Sequence, residues 1–216
     1  MTVSVANLSG EKMPIESVLP MGSSGNNEPR RTEGSSARRK ETAAEFWIPG
    51  SLDDEDDAEP AAYKNSMRLL GGGVVVVTVG EGDERTGFTG TSVVSLSAEP
   101  PRLMFGISQA SSSWQALQKY RTFAVNVLRE EDIGLADRFA GRGGVKGSAR
   151  YEGEQWASRK TGAPTLARAI AGFDCEVEEI LLRHDHAIVI GRVKDTWQGQ
   201  VGRPLLYWEG AYQSLR

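Results

Sequence analysis

From residue 60 onward, apolar residues fall into short runs separated by turn-forming residues, whereas residues 1–56 show no regular apolar spacing. The first patterned unit is PAAYKNSMRLL at 60–70, where Ala62, Met67 and Leu70 approach helical spacing, acidic residues precede and Gly71-Gly72-Gly73 follow. Acids before the start and glycine after the end are helix start and stop signals, so a helix is predicted there. The valine-rich run 73–79 reads as a strand. Gly80-Glu81-Gly82-Asp83 supplies a reversal, and the run 86–97 is predicted to return antiparallel as one strand, ended by Pro100-Pro101. Further strands are expected at 103–107, 122–128, 173–181 and 187–193, with a last pair around 205–212. Short helices are expected at 113–119 and 132–139, the second with Ile133, Leu135, Ala136 and Phe139 on one face, a stripe that fits core packing. About six mostly antiparallel strands with short helices predict a mainly β fold, a closed or partly closed six-stranded barrel. The chain lacks a GxGxxG opening a helix after a strand, so the usual dinucleotide-binding fold is excluded.

Charge divides the chain. Residues 1–60 hold six basic and twelve acidic side chains, net −6, and residues 61–216 nineteen and seventeen, net +2, which together give the net −4 of the chain. That segment is rich in Ser, Gly, Pro and Asn, and 1–56 reads as a disordered arm carrying a basic cluster (Arg30 to Lys40), an apolar knot (Phe46, Trp47, Ile48, Pro49) and an acidic run. Residues 57–216 read as the folded domain. Neither part has the dense basic face that nucleic acid requires. The longest apolar run is strand-sized, far short of the ~18 residues of a membrane span, and no secretory signal is visible, which together predict a cytoplasmic protein. Cys175 is the single cysteine and reads as a core residue; no metal site is expected.

Two segments carry candidate chemistry. In GFTGTSVVSLS at 87–97, Thr89, Thr91, Ser95 and Ser97 share one parity, with Gly90 among them and Ser92 on the other parity. A flat ligand can lie against such a backbone and use its N–H, C=O and hydroxyl groups, although a surface ladder of Thr and Ser gives the same pattern. In SQASSSWQAL at 108–117, Ser111, Ser112 and Ser113 open a predicted helix, where a serine caps and free N–H groups attract an anion.

Taken with GGGVVVVTV, FAVNVL, LADRFAG, DHAIVIGRV and PLLYWEGAY, in that order and spacing over about 150 residues, these segments resemble the flavin reductase family. The resemblance implies a six-stranded antiparallel split β-barrel of Greek-key type that pairs as a homodimer. It implies FMN or FAD as the flavin, NADH or NADPH as hydride donor, and in many cases a flavin-dependent monooxygenase or halogenase that receives the reduced flavin. Carried over by residue, it implies that Thr89, Gly90, Thr91 and Ser92 meet the isoalloxazine ring and ribityl chain, with Ser95 and Ser97 beside them. Ser111, Ser112 and Ser113 would meet the phosphate, Phe123 and Asn126 would lie on the strand beside the pocket, and His186 would lie near the nicotinamide. His184 stands where the family motif has glycine. With the chemistry carried by flavin, no catalytic acid or base is demanded. A flavoprotein that retains FMN and reduces a nitro compound, quinone or metal chelate, or a non-catalytic flavin-binding module, fits the same residues.

Overall fold

A computed structural model describes residues 57–215; the arm expected at 1–56 lies outside them. The chain opens with α1 (Pro60–Met67), capped by the Glu59 carboxylate, which accepts from Ala62 N at 2.9 Å. It continues as β1 (Gly72–Gly73), β2 (Val75–Val79), β3 (Thr86–Gly90), β4 (Val94–Ala98), β5 (Pro101–Ser108), α2 (Ser112–Tyr120), β6 (Thr122–Val127) and α3 (Ile133–Phe139). An irregular excursion carries β7 (Trp156–Ser158) and β8 (Pro164–Leu166). The long strands β9 (Ala171–Arg183) and β10 (His186–Gln198) and a terminal hairpin of β11 (Leu206–Trp208) and β12 (Ala211–Gln213) follow. No helix among the described residues is long and apolar enough to cross a membrane.

The main sheet is antiparallel in the order β3-β2-β6-β9-β10-β5-β4. It therefore has seven strands rather than six, and it is not closed, because its edge strands β3 and β4 are not hydrogen-bonded to each other. The expected single strand at 86–97 is the source of the difference. It breaks at residues 91–93, and its two halves form opposite edges of the sheet. Since four Cα steps span at most about 14 Å, so short a link forces the sheet to curl until its edges approach.

The curl is assisted by the β9–β10 ribbon. Register shifts between Ile190 and Gly191 and between Val193 and Asp195 leave Glu178 and Lys194 as extra residues, and such bulges bend a ribbon and increase its twist. On one side of the bend β9 pairs with β6, from Gly172 to Glu176; on the other, β10 pairs with β5, from His186 to Arg192.

The valine run is buried on both faces, which explains its lack of polar alternation. Val75, Val77 and Val79 face a core inside the curl with Leu103, Phe105, Leu117, Phe123 and Val189. Val74 and Val76 face a second core outside it, formed with Leu135, Phe139, Tyr151 and Leu166. Phe105 and Phe123 meet edge to face, centroids 5.1 Å apart. Cys175 is a buried member of the inner core, and burial pushes its thiol pKa up.

The excursion covers the free edge of β3. The Tyr151 hydroxyl donates to the Thr86 carbonyl and the Arg150 guanidinium to that of Gly87, which blunts an otherwise unpaired strand edge. Gly87 also admits α3: a Cβ there would collide with the Val77 carbonyl oxygen and lie 2.8 Å from Phe139 Cε1. Gly87→Ala is expected to destabilise the domain by about 1–3 kcal/mol, as overpacking does, measured by urea unfolding.

Candidate functional site

Residues 91–93 lie between strands and take no part in a ladder, and among the described residues no backbone–backbone hydrogen bond involves them. Their neighbours hold them in place. Thr89 Oγ1 donates to the Ala136 carbonyl at 2.6 Å, tying β3 to α3. Ser92 Oγ accepts from Gly106 N at 3.2 Å and donates to Gly106 O at 3.3 Å. A side-chain hydroxyl thus takes the place of a neighbouring strand at that point on β5, beyond the Val94–Met104 pair where β4 begins its ladder. The crossover is held at both ends while its own peptide groups remain available to a ligand.

On one side of the crossover is a groove of about 200 Å³ bounded by Thr89, Gly90, Thr91, Arg142, Tyr207 and Tyr212. The two tyrosines pack edge to face at 5.5 Å. Burial, and secondarily the Asp137 carboxylate, push the Tyr212 phenol up to about 12, so it is a neutral hydroxyl at physiological pH. Arg142 donates to Asp137 at 2.8 Å, and its guanidinium carbon lies 5.5 Å from the Tyr212 ring centroid. On the other side a larger cavity of about 460 Å³ opens into the curl, lined by Thr91, Ser95 and Ser97 together with valines from β2, β6 and β10. Thr91 lines both.

The serine cluster divides three ways. Ser111 caps α2, accepting from Ser113 N at 3.3 Å. Ser112 is exposed and borders a recess with Thr86, Gln115 and Lys119. Ser113 is buried, its hydroxyl 3.3 Å from that of Thr86. The cluster adjoins the crossover through the end of β5: Ser92 bonds Gly106, and two residues further on the Ser108 carbonyl accepts from Ser111 N.

His186 is exposed, directly opposite Ser108 in the β5–β10 register, and its Nδ1 lies 2.8 Å from Asp185 Oδ1. It adjoins the serine turn and lines neither the groove nor the cavity. Gln109 Nε2 donates to the carbonyls of His184 and His186, at 2.9 and 3.2 Å, fixing the β9–β10 turn against that serine turn. His184 has a φ of +49°, which gives a physical reason for glycine in the family motif.

Phe123 and Asn126 are wholly buried. Asn126 donates to Val76 O and Thr78 Oγ1 and accepts from Leu166 N at 2.7 Å, so its amide locks β6 to β2 and the excursion. The structure therefore gathers 89–97 around the crossover, sets His186 beside the Ser111 turn, and places Phe123 and Asn126 in the interior. Sequence reasoning did not find Arg142, nor that Tyr207 and Tyr212, within the last strand pair expected around 205–212, are half-buried groove walls. The signal available for the tyrosines was Glu209-Gly210 between them: both residues have positive φ, as a tight two-residue hairpin requires.

The antiparallel β domain built around this crossover has the fold of the flavin reductases among solved structures. Residues 67–216 match the flavin reductase like domain, and the chain belongs to that family. It is 31% identical to the reductase subunit HsaB of a flavin-dependent monooxygenase from Rhodococcus jostii, over 73% of this chain and 78% of that one. It is likewise 31% identical to an FMN reductase (NADH), RutF 2, from Rhizobium rhizogenes, over 80% and 99%. Among solved structures, an NADH:FAD oxidoreductase from Streptomyces globisporus, in complex with NAD and FAD fragments, matches with a TM-score of 0.66 at 26% identity. That match covers 78% of this chain and 98% of that one.

A non-glycine residue in the left-handed region carries a penalty of about 1–2 kcal/mol. His184→Gly is therefore expected to raise stability by up to ~1 kcal/mol, with part of the gain offset by the entropy glycine adds to the unfolded chain; thermal and urea unfolding check it.

Proposed function

We propose that this chain is an NAD(P)H-dependent reductase of free FMN or FAD that hands the reduced flavin to a separate flavin-dependent monooxygenase or halogenase. The observation that carries the reading is the crossover at 91–93, whose peptide groups have no backbone partner among the described residues, beside a groove with aromatic walls. A flat heteroaromatic ring needs both features: N–H and C=O groups along its edge and apolar faces for its plane. The residues present fit a flavin.

When bound, the flavin supplies the redox chemistry, accepting a hydride equivalent from the nicotinamide. The chain's own part is to position the two. Thr89 is held by Ala136 and Ser92 by Gly106, so the ring-binding segment is preorganised rather than ordered at the moment of binding. Thr91 presents its hydroxyl and Gly90 allows close approach. Tyr207 and Tyr212 keep water from one face of the groove, and Arg142 supplies a cation for an anionic group of either nucleotide. Ser111 and Ser112, with the first amides of α2, receive the flavin phosphate. Ser113 braces them from below through Thr86. His186, beside that turn, contacts the dinucleotide.

A homodimer accords with the outer face of β4, β5 and β10, where Val94, Met104, Ile188 and Ile190 stand side by side in the register. Val94 is 46% exposed and Ile188 38%, and a contiguous apolar face of this kind marks an association surface. Arg102 and Arg192, both paired with Glu178, border it.

The deciding experiment is a steady-state matrix of NADH and NADPH against FMN, FAD and riboflavin. Nicotinamide oxidation that saturates with added free flavin is expected, and no oxidation with any pair would refute the proposal. For the phosphate, replacing both Ser111 and Ser112 by Ala should weaken FMN roughly tenfold or more, given ~1.5–3 kcal/mol for a hydrogen bond to a charged group, and leave riboflavin nearly unchanged. Equal losses for the two flavins would remove the serines from the phosphate site.

A further inference from the structure

The larger cavity on the inner side of the crossover is not needed to hold a nucleotide in the groove, and its chemistry differs. Its floor is the inner core itself, Val75, Leu103 and Val125, and its walls include Val127, Phe173 and Val193. Around these apolar surfaces stand the hydroxyls of Thr91, Ser95, Ser97 and Thr196, which have no hydrogen-bond partner among the described residues. Among the described residues its single charged lining residue is Arg102, whose guanidinium is already paired with Glu178 and donates to the Pro101 carbonyl at 3.1 Å. At about 460 Å³ the space is within the usual range of small-molecule sites.

These features select a ligand class. A phosphate-bearing molecule would lose part of its hydration here without gaining a free cation, which is unfavourable over an apolar floor. A wholly apolar molecule would fill the space and leave the hydroxyls unused. We propose that this cavity is a second ligand site, built for a neutral aromatic molecule carrying one or more hydroxyl groups, and that such a ligand occupies it at the same time as a nucleotide occupies the groove. Thr91 lines both spaces, so the two ligands would sit on opposite sides of one short segment of backbone. The cavity is argued from its own lining; its occupation together with a nucleotide rests on the flavin reading of the groove.

The test is titration of the full chain with 2-naphthol, naphthalene and naphthalene-2-sulfonate, by calorimetry, with and without saturating FMN. We expect one 2-naphthol per chain with a Kd below ~1 mM, retained in the presence of FMN, and binding of the sulfonate at least tenfold weaker. Val193→Phe, which fills the cavity, should abolish 2-naphthol binding and leave FMN binding as it was. Thr196→Val, at an exposed position where misfolding is not an issue, should weaken 2-naphthol about fivefold, the worth of one neutral hydrogen bond, without changing naphthalene. Absence of saturable 2-naphthol binding would overturn the proposal. One-for-one displacement by FMN would overturn it by assigning the cavity to the flavin. Uptake that falls as the protein dimerises would overturn it by assigning the cavity to a second copy. NADH oxidation with FMN, measured on the same preparation, reports separately on the reductase reading.

Discussion

The groove and the cavity of this chain hang from three residues. Thr91, Ser92 and Val93 carry it from one edge of a seven-stranded sheet to the other, and because the link is short, the sheet curls. The curl produces the inner core, the cavity at its mouth and the groove outside. Ser92 fixes where the break occurs: with its hydroxyl on both the N–H and the C=O of Gly106, it holds the place of a strand at a point where β4 has not yet begun. A single oxygen thereby marks where one run becomes two edges with a segment outside the ladder between them.

The β9–β10 ribbon supplies the complementary bend. Its two bulges let one half extend the β2–β6 side of the sheet and the other half the β4–β5 side. The same ribbon brings its turn, with His184 and His186, against the serine turn before α2. The two candidate phosphate-side elements, distant in sequence, are therefore neighbours because a long hairpin is bent, and Gln109 fastens them with two hydrogen bonds to backbone carbonyls.

Strand-length runs, turn signals and helix caps were legible in the sequence, because each depends on residues close to one another in the chain: α1, α2, α3 and the strands from β5 to β12 that carry obvious runs fall where the pattern puts them. The break at 91–93 was not. Thr, Ser and Val favour extended backbone equally on both sides of it, and the decisive partner, Gly106, is supplied by another strand. The excursion that holds β7 and β8 was also unread, since its burial comes from Tyr151 and Trp156 packing on Phe139 rather than from any periodic stripe. For the candidate site, the hydroxyl-rich segments pointed to the residues that line the crossover, the groove and the cavity. Separation into a groove and a cavity, the inward turn of Ser113 and the tie of Asn126 to three backbone and side-chain partners are tertiary facts with no local signature.

The short crossover has a consequence for how the domain comes apart. β3 and β4 are the first and last strands of the ladder, and in an open sheet such edges would fray independently. Here they are consecutive in the chain, so detaching β3 from β2 pulls on Ser92 and, through it, on Gly106 and the start of β4. The two edges form one cooperative opening unit, and amide hydrogens at the opposite margins of the sheet share a common exchange event, with the crossover at its centre.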